Sequence, residues 1–99
     1  MKVYVSGPMT GLPGHNFPAF RAVAAELRAA GYTVEDPSEK GVIEGWTWED
    51  YLRLDLKVLL DCTQVATLPG WTRSRGARLE VRTAKALGMP VRPWRELLP

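Results

Sequence analysis

The chain has 99 residues, which is one domain with one core, so residues 1–99 are read as a single unit with no room for a second. Its 45% hydrophobic and 24% charged content exclude a disordered or fibrous chain, and a net charge of +2 is too small for a nucleic-acid polymer but suits a small anion. The single cysteine, Cys62, excludes an internal disulfide and a thiolate metal site, and residues 1–9 form neither a secretory signal nor a membrane span, so the expected location is cytoplasmic, with no membrane partner.

Residues 3–6 are a short β-prone run closed by Gly7-Pro8. After a loop to His15, Asn16 is placed to cap a helix that carries Phe20, Val23, Ala24 and Leu27 on one face and ends at Gly31. Residues 32–35 read as a second strand stopped by Asp36-Pro37, and a polar loop runs on to Trp46. Thr47, with Asp50 three residues on, opens a second helix over residues 47–60 in a shortened capping box. Residues 63–68 form a third strand closed by Pro69-Gly70. Ser74 caps a third helix that ends at Gly88, and residues 90–94 supply a fourth strand before a C-terminal turn.

Two carboxylates interrupt the helical patterning. In the third helix the apolar stripe is Ala77, Val81, Ala84 and Leu87, and Glu80 falls inside it. In the second the stripe is Trp48, Tyr51, Leu52, Leu56, Leu59 and Leu60, and Asp55 lies within it. Burying an unpaired carboxylate costs several kcal/mol or raises its pKa, so each needs a partner or a use. A structural reading pairs them with arginines such as Arg21, Arg53 or Arg82; a functional reading makes them site residues. Both stand at this stage.

Alternating strands and helices with right-handed crossovers predict an α/β fold, a small flavodoxin-like or Rossmann-like three-layer sandwich on a parallel four-stranded sheet of order 2-1-3-4. A ligand is then expected outside the carboxyl ends of strands 1 and 3, where the loops 7–15 and 69–75 converge. The first loop, with Ser6, Gly7, Met9, Thr10 and Gly11, offers main-chain N–H groups to a phosphate and includes Pro8 in the expected phosphate-binding stretch, although a turn after a strand also explains its glycines and it lacks the Gly-Lys-Ser/Thr of a Walker loop. The second opens a helix at Ser74, Arg75 and Gly76, where free N–H groups and the helix dipole favour an anion among Arg73, Arg75 and Arg78; its plainer reading is a capped helix with solvated arginines. Six residues separate Ser74 from Glu80, roughly 9 Å along a helix, so a 5′-phosphate at the cap would set a sugar near the carboxylate.

The run Ser74-Arg75-Gly76-Ala77-Arg78-Leu79-Glu80, with Ala84, Leu87-Gly88 and Pro90-Val91 behind it and Tyr4-Val5-Ser6-Gly7-Pro8-Met9 at the start, resembles the nucleoside 2-deoxyribosyltransferase superfamily over nearly the whole chain. That superfamily includes the 2′-deoxynucleoside 5′-phosphate N-hydrolases, and the chain is similar to a compact, often phage-associated branch. The resemblance implies that Glu80 is the nucleophile attacking C1′ of deoxyribose, that Ser74 binds the 5′-phosphate, that Asp55 engages the sugar or assists proton transfer, and that Tyr4 orients the nucleophile. The transferases carry an acidic residue just before the motif to handle the base. Here the stretch Leu68-Pro69-Gly70-Trp71-Thr72-Arg73 has none, which favours hydrolysis over transfer.

The expected function is therefore cleavage of the N-glycosidic bond of a 2′-deoxynucleoside 5′-monophosphate through a glycosyl-enzyme intermediate, without cofactor or metal. Base exchange as a deoxyribosyltransferase, and nucleotide sensing without catalysis, are the alternatives. The expected partners are a small deoxynucleotide or deoxynucleoside and further copies of the chain in a homodimer or higher homo-oligomer. Trp46 and Trp71 sit in loops near the mouth, where stacking on a base competes with packing over the domain edge. Trp48 and Trp94 are expected in the core or an interface. His15, the single histidine, is expected to be a loop residue rather than a ligand, and Cys62 a buried apolar filler.

Overall fold

A computed structural model describes residues 2–99. Strands β1 (Lys2–Ser6), β2 (Thr33–Glu35), β3 (Gln64–Thr67) and β4 (Val91–Pro93) alternate with helices α1 (Phe17–Ala29), α2 (Trp48–Leu59) and α3 (Arg75–Ala86). All three strand pairings are parallel, in the order β2-β1-β3-β4. This is the three-layer α/β architecture the patterning predicts. Among the described residues no helix is long and apolar enough to cross a membrane.

The central strand β1 explains how the layers divide. Successive side chains of a strand point to opposite faces. Val3 and Val5 join Phe20, Val23, Ala24 and Leu27 of α1, together with Val34, Ala66, Leu68 and Leu97. Tyr4 goes to the other face with Leu59, Cys62, Val65 and Ala84. Ser6 shares the parity of Tyr4 and is fully buried, so the strand delivers two hydroxyls to the face that α3 covers.

The ends of the elements differ from the sequence reading in informative ways. Thr47 and Asp50 form the full reciprocal capping box, and the Ser74 hydroxyl accepts from the Ala77 N–H as expected. Asn16 makes no cap. It sits in the left-handed region at φ 59°, and its Nδ2 donates 2.9 Å to the Pro8 carbonyl, tying the loop after β1 back to the start of α1. Strands β2, β3 and β4 are shorter than the runs 32–35, 63–68 and 90–94, and Trp94 instead begins a 3-10 turn, Trp94–Leu97. Leu60 and Leu87, read as the last residues of apolar stripes, are 57% and 56% exposed because each lies at a helix end beyond the packed face. Helix α2 packs beside α3, and Leu59 is its one fully buried residue among those described, while Tyr51, Leu52 and Leu56 are half-buried.

Gly7 has a packing reason. A Cβ there would lie 2.7 Å from the Leu68 Cβ, a contact that only movement of the chain relieves. The glycine lets the end of β1 pass close to the end of β3, where the Leu68 N–H donates to the Ser6 carbonyl at 2.9 Å. Gly7→Ala is therefore expected to destabilise the fold by about 1–3 kcal/mol. Urea unfolding measures this, and an unchanged midpoint would show that the two strand ends have slack.

Candidate active site

Glu80 is buried on α3, 6% exposed, at the point where that helix crosses β1. The Tyr4 hydroxyl donates to Glu80 Oε2 and the Ser6 hydroxyl donates to Oε1, each at 2.7 Å. Each carboxylate oxygen therefore has one short bond from a neighbouring strand, the geometry of a charge-assisted pair. Two residues 74 and 76 positions away in sequence meet Glu80 because β1 alternates and α3 covers its Tyr4–Ser6 face.

The electrostatics of the group follow from its burial. Loss of water pushes the Glu80 pKa up to about 7, and the bonds from Tyr4 and Ser6 only partly oppose this; the Asp55 charge adds to the rise and Lys40 counters it. Near neutral pH the carboxyl is poised between its two forms. Burial, then the charges of Glu80 and Asp55, hold the Tyr4 phenol well above its usual range, so it stays a hydrogen-bond donor.

Asp55 also turns inward, 16% exposed at the side chain, and its partner is none of the arginines considered from sequence. Lys40 Nζ, itself 18% exposed, donates to Asp55 Oδ1 at 2.5 Å and to the Pro37 carbonyl at 2.9 Å. Burial raises the Asp55 pKa, and the Lys40 hydrogen bond and charge pull against it. Lys40 closes the 3-10 turn Pro37–Lys40 after β2, within the stretch read from sequence as a polar loop. Sequence reasoning missed it; the signal available was a lysine following Asp36-Pro37 near the carboxyl end of an expected strand.

The structure thus brings Tyr4 and Ser6 to Glu80 and Lys40 to Asp55, and the Lys40–Asp55 pair acts on Glu80 through its charges. Ser6, expected to offer its main-chain N–H to a phosphate, gives its side chain to Glu80. Pro8 and Met9 are half-buried, with their carbonyls accepting from Asn16 Nδ2 and the Leu12 N–H, while Met9 packs on the α1 core. Ser74 caps α3, one helix with Glu80. The Arg75 guanidinium stacks 4.1 Å over the Trp48 ring and Arg78 Nη1 donates 2.9 Å to the Thr72 carbonyl, and Arg73, Arg75 and Arg78 are all exposed. A Cβ on Gly76 would meet the Trp48 ring at 3.9 Å, an ordinary contact, so packing does not demand that glycine.

Two shallow depressions lie in the surface. One, of about 270 Å³, is lined by Trp71, Trp94, Arg95 and the ends of β3 and β4. The other, of about 330 Å³, is lined by Trp46, Asp50, Arg53, Leu54 and Lys57 on the outer side of α2. Neither depression is lined by Glu80, Asp55, Tyr4 or Ser6. His15 is exposed and packs against Phe17 at 5.4 Å, and Cys62 is buried with its thiol pushed up to about 11 by burial. Among the described residues no group of three or more His, Cys, Asp or Glu has a geometry that could hold a metal ion.

The model of the family described as "Domain of unknown function (DUF4406)" matches residues 1–92. A comparison with curated proteins finds no match.

Proposed function

We propose that this chain, which belongs to the DUF4406 family, is an N-glycosidase that cleaves the base from a 2′-deoxynucleoside 5′-monophosphate, and that its ancestry lies with the nucleoside 2-deoxyribosyltransferase superfamily. The observation that carries the reading is the buried Glu80 carboxylate held by two hydroxyls of β1. Breaking an N-glycosidic bond develops positive charge on the sugar, spread over C1′ and the ring oxygen. A carboxylate that has lost water is poorly stabilised until such a cation arrives, so its interaction strengthens toward the transition state.

In the reaction proposed, the ionised Glu80 attacks C1′ while the bond to the base breaks, and the bonding pair leaves with the base, which takes up a proton. The resulting ester between Glu80 and the sugar is then cleaved by water at C1′, which regenerates the carboxylate and releases deoxyribose 5-phosphate. Tyr4 and Ser6 hold both oxygens of the nucleophile and so fix which lone pair faces C1′. Asp55 receives a sugar hydroxyl or the attacking water. The first turn of α3, with Ser74 as its cap and Arg73 exposed nearby, is the seat for the 5′-phosphate.

The test is release of free base, read by chromatography, from a panel of deoxynucleosides and their 5′-monophosphates with and without an acceptor base. Release from monophosphates in water supports the reading. Exchange that requires an acceptor identifies a transferase, and binding without turnover identifies a sensor; either result overturns it. Ser74→Ala separates the phosphate role from the capping role. Loss of the cap costs about 1 kcal/mol of stability for any substrate, whereas loss of a phosphate contact raises KM for monophosphates and leaves that for nucleosides unchanged. Equal effects on the two substrate classes would remove Ser74 from the phosphate site.

A further inference from the structure

The turn after β2 carries a device that the proposed reaction does not by itself require. Asp36 starts the turn, and its Oδ1 accepts from the Ser38 N–H at 2.8 Å. Arg28 on α1 clamps it from outside through a two-bond contact with Glu39 at 2.9 and 3.1 Å and a bond to the Val34 carbonyl. At the end of this braced turn Lys40 spans from the Pro37 carbonyl to Asp55 on α2. The Lys40–Asp55 pair uses Oδ1 alone, so Oδ2 lies outside it. The same lysine opposes, and Asp55 reinforces, the burial that acts on Glu80.

We propose that Lys40 is a positioning residue of the active site, a strut that fixes the Asp55 carboxylate by one oxygen, presents the other to the substrate, and supplies the cation that balances Asp55 beside Glu80. The geometry argues for this on two counts. A lysine has about 2 kcal/mol of side-chain rotamer freedom to lose, and here it is held at both a main-chain carbonyl and a carboxylate in a mostly buried place rather than left on the surface. Secondly, the hydrogen bonds to Glu80 come from the neutral hydroxyls of Tyr4 and Ser6 on β1, while Asp55 on α2 and Lys40 after β2 act on it as opposing charges. Without Lys40 the Asp55 charge would act on Glu80 with no cation opposing it from that pair, and the donors to Glu80 are neutral. This assignment rests on the proposed glycosidase reading for its catalytic part, and on the ion pair alone for its electrostatic part.

The experiment compares the full chain with Lys40→Met and Lys40→Arg, using carbon-13 carboxyl titration and base release from deoxynucleoside monophosphates. In Lys40→Met the titrations of Asp55 and Glu80 are expected to move to higher pH by at least about half a unit, with kcat falling by about tenfold or more and KM changing by less than about threefold. Lys40→Arg keeps the cation and is expected to hold both titrations near the parent values. Carboxyl titrations that coincide with the parent overturn the proposal, and so do shifted titrations with an unchanged kcat. Should the parent protein release no base, the glycosidase reading fails separately and the titrations alone decide whether Lys40 governs the two carboxylates. Where Lys40→Met does not fold, Lys40→Gln gives the same comparison.

Discussion

Glu80→Gln is expected to lower base release from deoxynucleoside monophosphates by on the order of 10⁴-fold while the protein remains folded. Glutamine has the same shape and retains a carbonyl for one of the two hydroxyls, Tyr4 or Ser6, so the packing of α3 on β1 survives. What it lacks is the negative charge and the nucleophilic oxygen that trap the sugar cation. In the parent protein, the free-enzyme activity, kcat/KM, is expected to rise with pH through about 7, because burial keeps the carboxyl protonated below that value. A variant that keeps even a tenth of parental activity would remove Glu80 from the chemistry. The substitution thus separates a nucleophile from a carboxylate that only shapes the site.

The same substitution carries an opposite expectation for stability. Glu80 titrates near its ordinary 4.5 when unfolded and at about 7 when folded, so the folded state binds the proton more tightly. Its contribution to stability is complete below about pH 4.5 and is lost as pH rises through 7. The shift of about 2.5 units at about 1.4 kcal/mol each gives a loss of about 3 kcal/mol on moving from acid to pH 8. Glu80→Gln carries no titrating group and lacks this loss. The difference between the two proteins in urea-unfolding free energy should therefore grow in favour of the variant between pH 5 and pH 8. Taking the difference cancels the carboxylates not coupled to Glu80, including Glu39 and Asp50, which are held below their ordinary values by Arg28 and by the Thr47 cap. Parallel curves across that range would mean that Glu80 is better solvated than its burial implies. More activity and less stability from one residue is the trade expected where a charge is buried for use.

The architecture was readable because local signals agreed with one another. Gly31, Pro37, Pro69 and Gly88 mark the ends of elements whose apolar faces have the period of a helix or a strand, and the parallel order 2-1-3-4 is the one expected of a flavodoxin-like alternation of strands and helices. Glu80 was legible for the converse reason, as a charge that breaks its own helix's pattern. The partners of the carboxylates were harder. Tyr4 and Ser6 could be assigned to one face by alternation, but nothing in the sequence shows that their hydroxyls, rather than an arginine, satisfy Glu80. Lys40 was invisible for a related reason: it lies in a turn where a lysine is unremarkable, and only the packing of α2 brings Asp55 to it. Asn16 has the composition of a cap and the conformation of a left-handed turn, because the loop after β1 needs its amide at Pro8. Residues such as Leu60 and Leu87 fit helical periods, yet periodicity cannot say where the packing partner stops.

The claim at the centre is that Glu80 forms a bond to C1′ of the sugar, and a trapping measurement addresses it directly. A 2′-fluoro-2′-deoxyarabinonucleoside 5′-monophosphate carries a fluorine that withdraws charge from C1′ and slows breakdown of a sugar ester. Incubation should release one equivalent of base, raise the mass of the protein by one fluorinated sugar phosphate, and place the adduct on the peptide containing Glu80, with no adduct on Glu80→Gln. An adduct on any other residue, or base release by Glu80→Gln at the parental rate, would contradict the account.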